Sequence, residues 1–256
     1  MLLNFKVTGE GQPLIILHGL FGSGDNWSTI AKTFSEHNTV YLVDARNHGK
    51  SPHSDLFNYS SMANDLSAFI SEQNIVNPII LGHSMGGKTA MKYAVRTRLP
   101  IKGLIVVDIA PRYYKPHHQK YIEGLFAVNL ETLTSRGEAE QIMANIIPEI
   151  DIRQFLLKNL YRTEDGKFAW RFNLDVIASQ VDNVGEELSE SYHSEIPTLF
   201  IRGEKSDYIL DKDESSIKTI FPNSEIVTIP GAGHWVHAEK PEEFVHIVKQ
   251  FIEKLG

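Results

Sequence analysis

An α/β fold with a mostly parallel central sheet is predicted by two features of this sequence. Short apolar runs recur along the chain, at residues 14–17, 40–43, 79–81, 104–107, 199–201 and 226–229. Helical patterns separate these runs, and such alternation favours a parallel sheet covered by helices on both faces. Each run is apolar at successive positions, as expected of a strand buried on both sides. Residues 3–7 are expected to add an antiparallel edge strand.

The last helix has the clearest sequence pattern. Pro241 suits a first helical position, and two glutamates follow it, where the positive end of a helix favours acidic residues. An apolar stripe then recurs at helical spacing, formed by Phe244, Val248, Phe251 and Ile252. This helix is expected to close the domain.

The alternation of strands and helices breaks after residue 107. Residues 111–194 contain several helical patterns but no convincing buried strand, which predicts a helical cap inserted between two strands of the sheet. Residues 1–110 and 195–256 are then expected to form one core domain, because a chain of this length can bury a single substantial core. Some aromatic residues of the cap are expected to line a substrate pocket, although packing within the cap is the better prediction for any single one.

Composition and charge exclude several classes of function. The 256 residues are 42% hydrophobic and 22% charged, as in globular proteins. A formal net charge of -7 disfavours nucleic acid as a partner, because like charges repel. The absence of cysteine excludes disulfides, thiolate metal sites and a cysteine nucleophile. The sequence has neither a signal-peptide pattern nor an apolar run long enough to span a membrane, so a cytoplasmic location is expected.

A Gly-x-Ser-x-Gly sequence centred on Ser84 lies between an apolar run and a helical pattern. A nucleophile on a tight strand-to-helix turn needs neighbours without side chains, and Gly82 and Gly86 satisfy that need. The start of the following helix directs its amides and its positive dipole end toward the serine. Ser84 is therefore the candidate nucleophile.

A serine hydroxyl needs a neighbouring base to take its proton, and His234 is the candidate. It lies in the segment Pro-Gly-Ala-Gly-His-Trp, directly after the last apolar run, where this architecture places its histidine. His237 is the nearest competitor and is expected to be exposed or to make a polar contact. His83 flanks the serine and is expected to have a structural role.

Two backbone amides are expected to bind a developing oxyanion. The residue after the nucleophile, Met85, supplies one of them. The second is expected from the loop His-Gly-Leu-Phe-Gly after residues 14–17, with the Leu20 amide preferred and Phe21 in reserve. The side chains of Phe21 and Trp235 are expected to line the substrate pocket. No metal and no cofactor is required.

These motifs resemble the α/β-hydrolase superfamily over nearly the whole chain. The resemblance rests on His-Gly-Leu-Phe-Gly, on the segment Asp-Ala-Arg-Asn-His-Gly-Lys-Ser at residues 44–51, on Gly-His-Ser-Met-Gly-Gly and on Gly-Ala-Gly-His-Trp. More narrowly, residues 82–90, 107–111 and 153–160 resemble the YbfF-like esterases and related α/β-hydrolase-domain proteins. The resemblance implies an α/β-hydrolase fold and hydrolysis of small esters and acyl thioesters, including acyl-CoA.

The acidic partner of His234 departs from the common superfamily pattern. Most members carry aspartate in a Gly-x-x-Asp sequence, but here Ser206 stands at that spacing and Asp207 follows one residue later. Asp108, at the end of the run 104–107, is the alternative. The resemblance to YbfF-like esterases favours Asp108, with Ser206 as a hydrogen-bonding auxiliary.

The residues together predict a serine hydrolase that acts on a small ester or thioester through an acyl-enzyme. A carbon-carbon bond hydrolase or a perhydrolase would use the same three residues with a different pocket. A non-catalytic protein that binds a ligand in the same pocket is the third possibility, because one fold serves many functions.

Overall fold

The main sheet has seven strands and follows directly from the apolar runs of the sequence. The computed structural model describes residues 1–256. The protein has nine strands in all, seven in the main sheet and two in a separate hairpin. They are β1 (Phe5–Thr8), β2 (Gln12–Leu17), β3 (Asn38–Val43), β4 (Ile79–His83), β5 (Gly103–Val107), β6 (Leu160–Arg162), β7 (Phe168–Trp170), β8 (Thr198–Gly203) and β9 (Ser224–Ile229). The order across the main sheet is β1-β3-β2-β4-β5-β8-β9. All neighbours are parallel except β1, which runs antiparallel to β3, so the predicted edge strand is confirmed.

Helices cover both faces of this sheet. They are α1 (Ser28–Phe34), α2 (Tyr59–Glu72), α3 (Met85–Ala94), α4 (Gln119–Phe126), α5 (Arg136–Ala144), α6 (Ile150–Leu157), α7 (Leu174–Gln180), α8 (Glu214–Ile220), α9 (Val236–Glu239) and α10 (Pro241–Lys254). No helix combines the length and the apolar composition needed to cross a membrane. As predicted, α10 begins at Pro241 and buries Phe244 and Val248.

Two apolar clusters fill the space between the sheet and its helices. In β2, Ile15 belongs to one cluster, whereas Leu14 and Ile16 belong to the other. Side chains alternate between the two faces of a strand, and here both faces are buried. This explains why the strands are apolar at successive positions rather than at every second one.

The segment between β5 and β8 contains four helices and a short hairpin. Its buried side chains form a third apolar cluster with Leu20, Phe21 and Met85, so the insertion packs directly over the loops that follow β2 and β4. The hairpin pairs β6 with β7, whereas the sequence indicated only helices. Strands of three residues are too short to show a period of two. The division into a core of residues 1–110 and 195–256 and a cap of residues 111–194 stays a prediction.

Candidate active site

Ser84 lies on a strained turn between β4 and α3. Its φ of 53° and ψ of -116° place a non-glycine residue in a sparsely populated region of backbone space. The turn brings backbone against backbone: a Cβ at Gly82 would lie 2.3 Å from the Gly86 carbonyl oxygen, and one at Gly86 would lie 2.3 Å from that of Leu17. The requirement for glycine on both sides of Ser84 is therefore steric.

Asp108 directly follows β5 and is a second strained residue, with a φ of 51° and a completely buried side chain. Its Oδ1 accepts a hydrogen bond from the Gly203 amide at 3.1 Å. Its Oδ2 accepts one from the Ser206 hydroxyl and lies 2.7 Å from Nδ1 of His234. Three elements of the fold, β5, β8 and the loop after β9, therefore meet at one carboxylate.

His234 lies on the glycine-rich loop between β9 and α9. Because Nδ1 donates to Asp108, the unprotonated Nε2 of the neutral ring is available as an acceptor. The backbone of this loop is fixed as well, since Nε2 of His83 donates to the His234 carbonyl at 2.9 Å. His83 thus has the structural role predicted for it.

Ser84 and His234 line the same cavity, but no hydrogen bond joins their side chains in this structure. Hydrogen bonds of this kind are often long in ligand-free enzymes and shorten when substrate binds. The contact between Ser84 and His234 accordingly stays a prediction.

Of the two candidate acids, the structure places only Asp108 against the imidazole. Asp207 is exposed, and its carboxylate makes no hydrogen bond; only its backbone carbonyl does, accepting from Arg112 at 2.8 Å. The shift by one residue turns the Asp207 carboxylate to solvent and leaves Ser206 facing Asp108. The geometry therefore favours Asp108 over Asp207.

The two amides predicted to bind an oxyanion are both available. Neither the Leu20 nor the Met85 amide donates a hydrogen bond within the protein. The reserve candidate, the Phe21 amide, is already occupied because it donates to Nε2 of His48 at 3.1 Å. Leu20 is therefore the better placed of the two alternatives.

Two buried neutral histidines support this loop. Nε2 of His18 accepts from the Ala45 amide at 3.0 Å, and Nδ1 donates to the Gly19 carbonyl at 2.8 Å. His48 donates from Nδ1 to the Arg46 carbonyl at 2.9 Å. Burial lowers the pKa of His18 and lowers that of His48 to about 3, so both rings stay uncharged near neutral pH.

His237 differs from the prediction of an exposed or polar environment. Its side chain is buried, and its ring stacks on Trp27 with centroids 3.8 Å apart and planes at 11°. Its Nδ1 has no hydrogen-bond partner, and burial lowers the pKa of His237 to about 3. Trp27, which lies far from His237 in the sequence, accounts for this burial. The residues around His237 give no sign of that partner.

A cavity of about 280 Å³ lies beside Ser84 and His234. Phe21 and Trp235 line it, and the insertion contributes further apolar and aromatic walls, among them Tyr121, Ile152 and Phe155. No lysine, arginine, aspartate or glutamate is among its lining residues. The cavity therefore suits uncharged, largely apolar groups.

One neighbour of His234 was missed by sequence reasoning. The ring of Tyr208 stacks on the imidazole with centroids 4.0 Å apart and planes at 20°. The only signal in the sequence was its position two residues after Ser206.

Comparison with known proteins shows which family this chain is similar to. A family model described as the alpha/beta hydrolase family matches residues 14–247. The esterase YbfF of Escherichia coli (strain K12) is 36% identical, over 98% of this chain and 99% of its own length. The sn-1-specific diacylglycerol lipase ABHD11 of Danio rerio is 38% identical, over 97% of this chain and 81% of its own.

A solved structure described as a marine microorganism esterase superposes with a TM-score of 0.95 and 45% identity, covering 98% of this chain and 99% of that one. The resemblance indicated by the sequence motifs is thereby confirmed. This chain belongs to the alpha/beta hydrolase family and is a carboxylesterase-type hydrolase.

Proposed function

We propose that this protein hydrolyses carboxylic esters and acyl thioesters through an acyl-enzyme formed on Ser84, with His234 as general base and Asp108 as its acidic partner. The observation that carries the proposal is the 2.7 Å contact between Asp108 Oδ2 and His234 Nδ1 beside a serine on a strained strand-to-helix turn. The Asp108–His234 contact is the acid-to-base half of the arrangement by which a serine, a histidine and a carboxylate perform acyl transfer on unrelated folds, and the Ser84–His234 contact is the half that the proposal adds.

In the first half-reaction, Nε2 of His234 removes the proton of the Ser84 hydroxyl, and Oγ forms a bond to the carbonyl carbon of the substrate. The free amides of Leu20 and Met85 donate to the oxyanion that results. Collapse of this intermediate breaks the bond to the alcohol or thiol, which leaves with the proton from His234. The acyl group stays esterified to Ser84.

In the second half-reaction, His234 removes a proton from water, and the hydroxide attacks the acyl-enzyme. The same amides bind the second oxyanion, and Ser84 leaves with the proton returned by His234. The buried carboxylate of Asp108 fixes the tautomer of the imidazole and stabilises its cation without taking the proton. Ser206 and Gly203 orient that carboxylate by their hydrogen bonds.

The cavity supports an uncharged acyl or alkyl group of modest size as the part of the substrate next to Ser84. Its lining is mainly apolar and carries no acidic or basic residue apart from histidine. Two of the relatives are named as an esterase and as a diacylglycerol lipase, which supports esters as substrates. The proposal that thioesters, including acyl-CoA, are substrates rests on the resemblance to YbfF-like esterases.

Ser84→Ala tests the proposal. We expect the variant to lose hydrolysis of a short p-nitrophenyl ester and labelling by a fluorophosphonate probe, while its circular dichroism and melting temperature stay close to those of the wild type. Undiminished turnover in Ser84→Ala would refute the proposal. A wild-type protein that binds acyl ligands but neither turns over nor labels would be a binding protein instead.

The substrate class is tested with a panel of esters and acyl-CoA thioesters of graded acyl length. We expect kcat/KM to rise with acyl length until the cavity is filled and then to fall. Hydrolysis of esters without any hydrolysis of thioesters would remove the thioester part of the proposal and leave the rest intact.

A further inference from the structure

The ring of Tyr208 lies against one face of the imidazole of His234, the proposed general base. Its ring centroid is 4.0 Å from that of His234, with an angle of 20° between the planes. The hydrogen bond from Nδ1 to Asp108 fixes one atom of the imidazole but leaves the ring able to tilt about that bond. A flat side chain on its face restricts that tilt.

Tyr208 is itself fixed at three points. Its hydroxyl lies 2.7 Å from Nε2 of His117, its amide donates to the Ser206 hydroxyl at 3.3 Å, and its carbonyl accepts from the Tyr114 hydroxyl. The Ser206 hydroxyl also donates to Asp108. The backbone of Tyr208 and the carboxylate of Asp108 are thus oriented by the same hydroxyl group.

The bond to His117 has a defined direction. Nδ1 of His117 lies 3.2 Å from the Lys115 carbonyl, which can only accept, so Nδ1 donates there and Nε2 is placed to accept from the Tyr208 hydroxyl. Burial raises the pKa of Tyr208, and the nearby Asp108 carboxylate raises it further, so the hydroxyl stays protonated. His117 lies in the insertion, and both His117 and Tyr208 line the cavity.

We propose that Tyr208 is a positioning residue for His234, and that its hydrogen bond to His117 couples the orientation of the imidazole to the segment of the insertion beside the substrate. This inference rests on the proposed function. Stacking keeps Nε2 directed at Ser84 and places an aromatic face against the imidazolium that forms during acyl transfer. Because His117 also lines the cavity proposed to hold the substrate, a substrate that contacts His117 would link binding to proton transfer through Tyr208.

Three variants separate stacking from hydrogen bonding. Tyr208→Leu removes both, and Tyr208→Phe keeps the stacked ring. His117→Ala removes the partner of the hydroxyl together with a ring that lines the cavity. With a p-nitrophenyl ester we expect Tyr208→Leu to lower kcat on the order of 10-fold or more with KM changed less than threefold, and Tyr208→Phe to recover most of that loss. Tyr161→Leu, which alters a tyrosine outside the cavity, is the matched control and is expected to leave kcat unchanged.

A double-mutant cycle tests the coupling to the insertion. If the hydroxyl acts through His117, adding Tyr208→Phe to His117→Ala lowers kcat no further, whereas independent effects multiply. Multiplied effects would overturn the coupling. Equal kcat in Tyr208→Leu and the wild type, or a loss in Tyr208→Phe as large as in Tyr208→Leu, would overturn the positioning role.

Fluorophosphonate labelling keeps this inference distinct from the proposed function. If the probe does not label the wild type, the proposed function has failed, and the inference about Tyr208 fails as well. If the probe labels the wild type and Tyr208→Leu at the same rate, the inference about Tyr208 is overturned and the proposed function stands. If Tyr208→Leu does not fold, Tyr208→Phe and the cycle with His117→Ala still decide the coupling.

Discussion

The backbone amide of Phe21 donates a hydrogen bond to Nε2 of the buried His48 ring, 3.1 Å away, although 27 positions separate the two residues. Phe21 has a φ of 58°, and its carbonyl accepts from the side-chain amide of Asn159 at 2.8 Å. The residue after Leu20 is therefore fixed at both of its backbone polar groups. Of the two amides considered for the oxyanion, this leaves that of Leu20 free.

His48 is expected to make stability depend on pH. Burial lowers the pKa of His48 to about 3, against 6.5 for an unperturbed histidine. Between these values the unfolded chain binds a proton that the folded protein does not, so this contribution to stability is complete above pH 6.5 and is lost as pH falls toward 3. His48→Gln keeps an acceptor for the Phe21 amide but does not titrate. When the pH is lowered from 7 to 5, we expect the free energy of unfolding of His48→Gln to fall by about 2 kcal/mol less than that of the wild type.

Urea unfolding at the two pH values measures this difference. His37→Gln, which changes an exposed histidine, is the control and is expected to follow the wild type. Identical losses in His48→Gln and the wild type would show that His48 is not the titrating group.

Asp108→Asn is expected to slow turnover far more than Asp207→Asn. Asparagine can turn its NH2 group toward Nδ1 of His234 and so favour the wrong tautomer of the imidazole, for which a loss of about 10⁴ in kcat is expected. The Asp207 carboxylate points to solvent, so its variant is expected to stay within about twofold of the wild type. Steady-state kinetics on one p-nitrophenyl ester measures both, and the reverse ranking would identify Asp207 as the acid.

Ser206→Ala is expected to lower kcat by about 10-fold. It removes one donor from the buried Asp108 carboxylate, which keeps its bonds to the Gly203 amide and to His234. A hydrogen bond to a charged group contributes about 1.5 to 3 kcal/mol, of which part is expressed in the orientation of His234. Ser206→Thr retains the hydroxyl and is expected to recover activity, and the exposed Ser71→Ala serves as the control. An unaffected Ser206→Ala would assign the hydroxyl to structure alone.

The strands and the Ser84 turn could be predicted because their signals are local. Burial on both faces leaves an apolar residue at each position of a strand, and the crowding around Ser84 admits only glycine at 82 and 86. His234 could be predicted from chain order, since the loop after the last strand supplies the histidine in this architecture.

The remaining parts of the site depend on contacts between distant segments. The direction in which each carboxylate points decides whether Asp108 or Asp207 contacts His234. The spacing of residues along the sequence does not determine that direction. The burial of His237 depends on Trp27, and the place of Tyr208 depends on His117, more than ninety positions earlier. These pairs follow from the packing of the insertion and the loops, and no period or motif in the sequence encodes them.

Lys88 connects the helix after Ser84 to both ends of the insertion. Its side chain is buried, and Nζ donates to the Arg112 carbonyl at 2.6 Å, to the Pro111 carbonyl at 3.4 Å and to the Glu186 carbonyl. The first two carbonyls lie where the chain enters the insertion, and the third lies near its end. Removing the shared donor leaves the partly buried carbonyls of Arg112 and Glu186 without this partner, whereas the Pro111 carbonyl still accepts from the Leu188 amide at 2.7 Å. A buried group that loses its only hydrogen bond costs about 1 to 3 kcal/mol.

Lys88→Met is therefore expected to lower the free energy of unfolding by about 2 kcal/mol or more and to loosen the ends of the insertion first. The Tyr114 amide, which donates to the Gly185 carbonyl at 2.9 Å between those two ends, reports the loosening by faster hydrogen exchange. Lys92→Met, one turn later on α3, removes a 3.5 Å contact with the Glu186 carboxylate and a cation–π contact with Tyr192, and it is expected to cost less than about 1 kcal/mol. Equal losses in the two variants, or unchanged exchange at Tyr114 in Lys88→Met, would show that the insertion is attached by its apolar contacts alone.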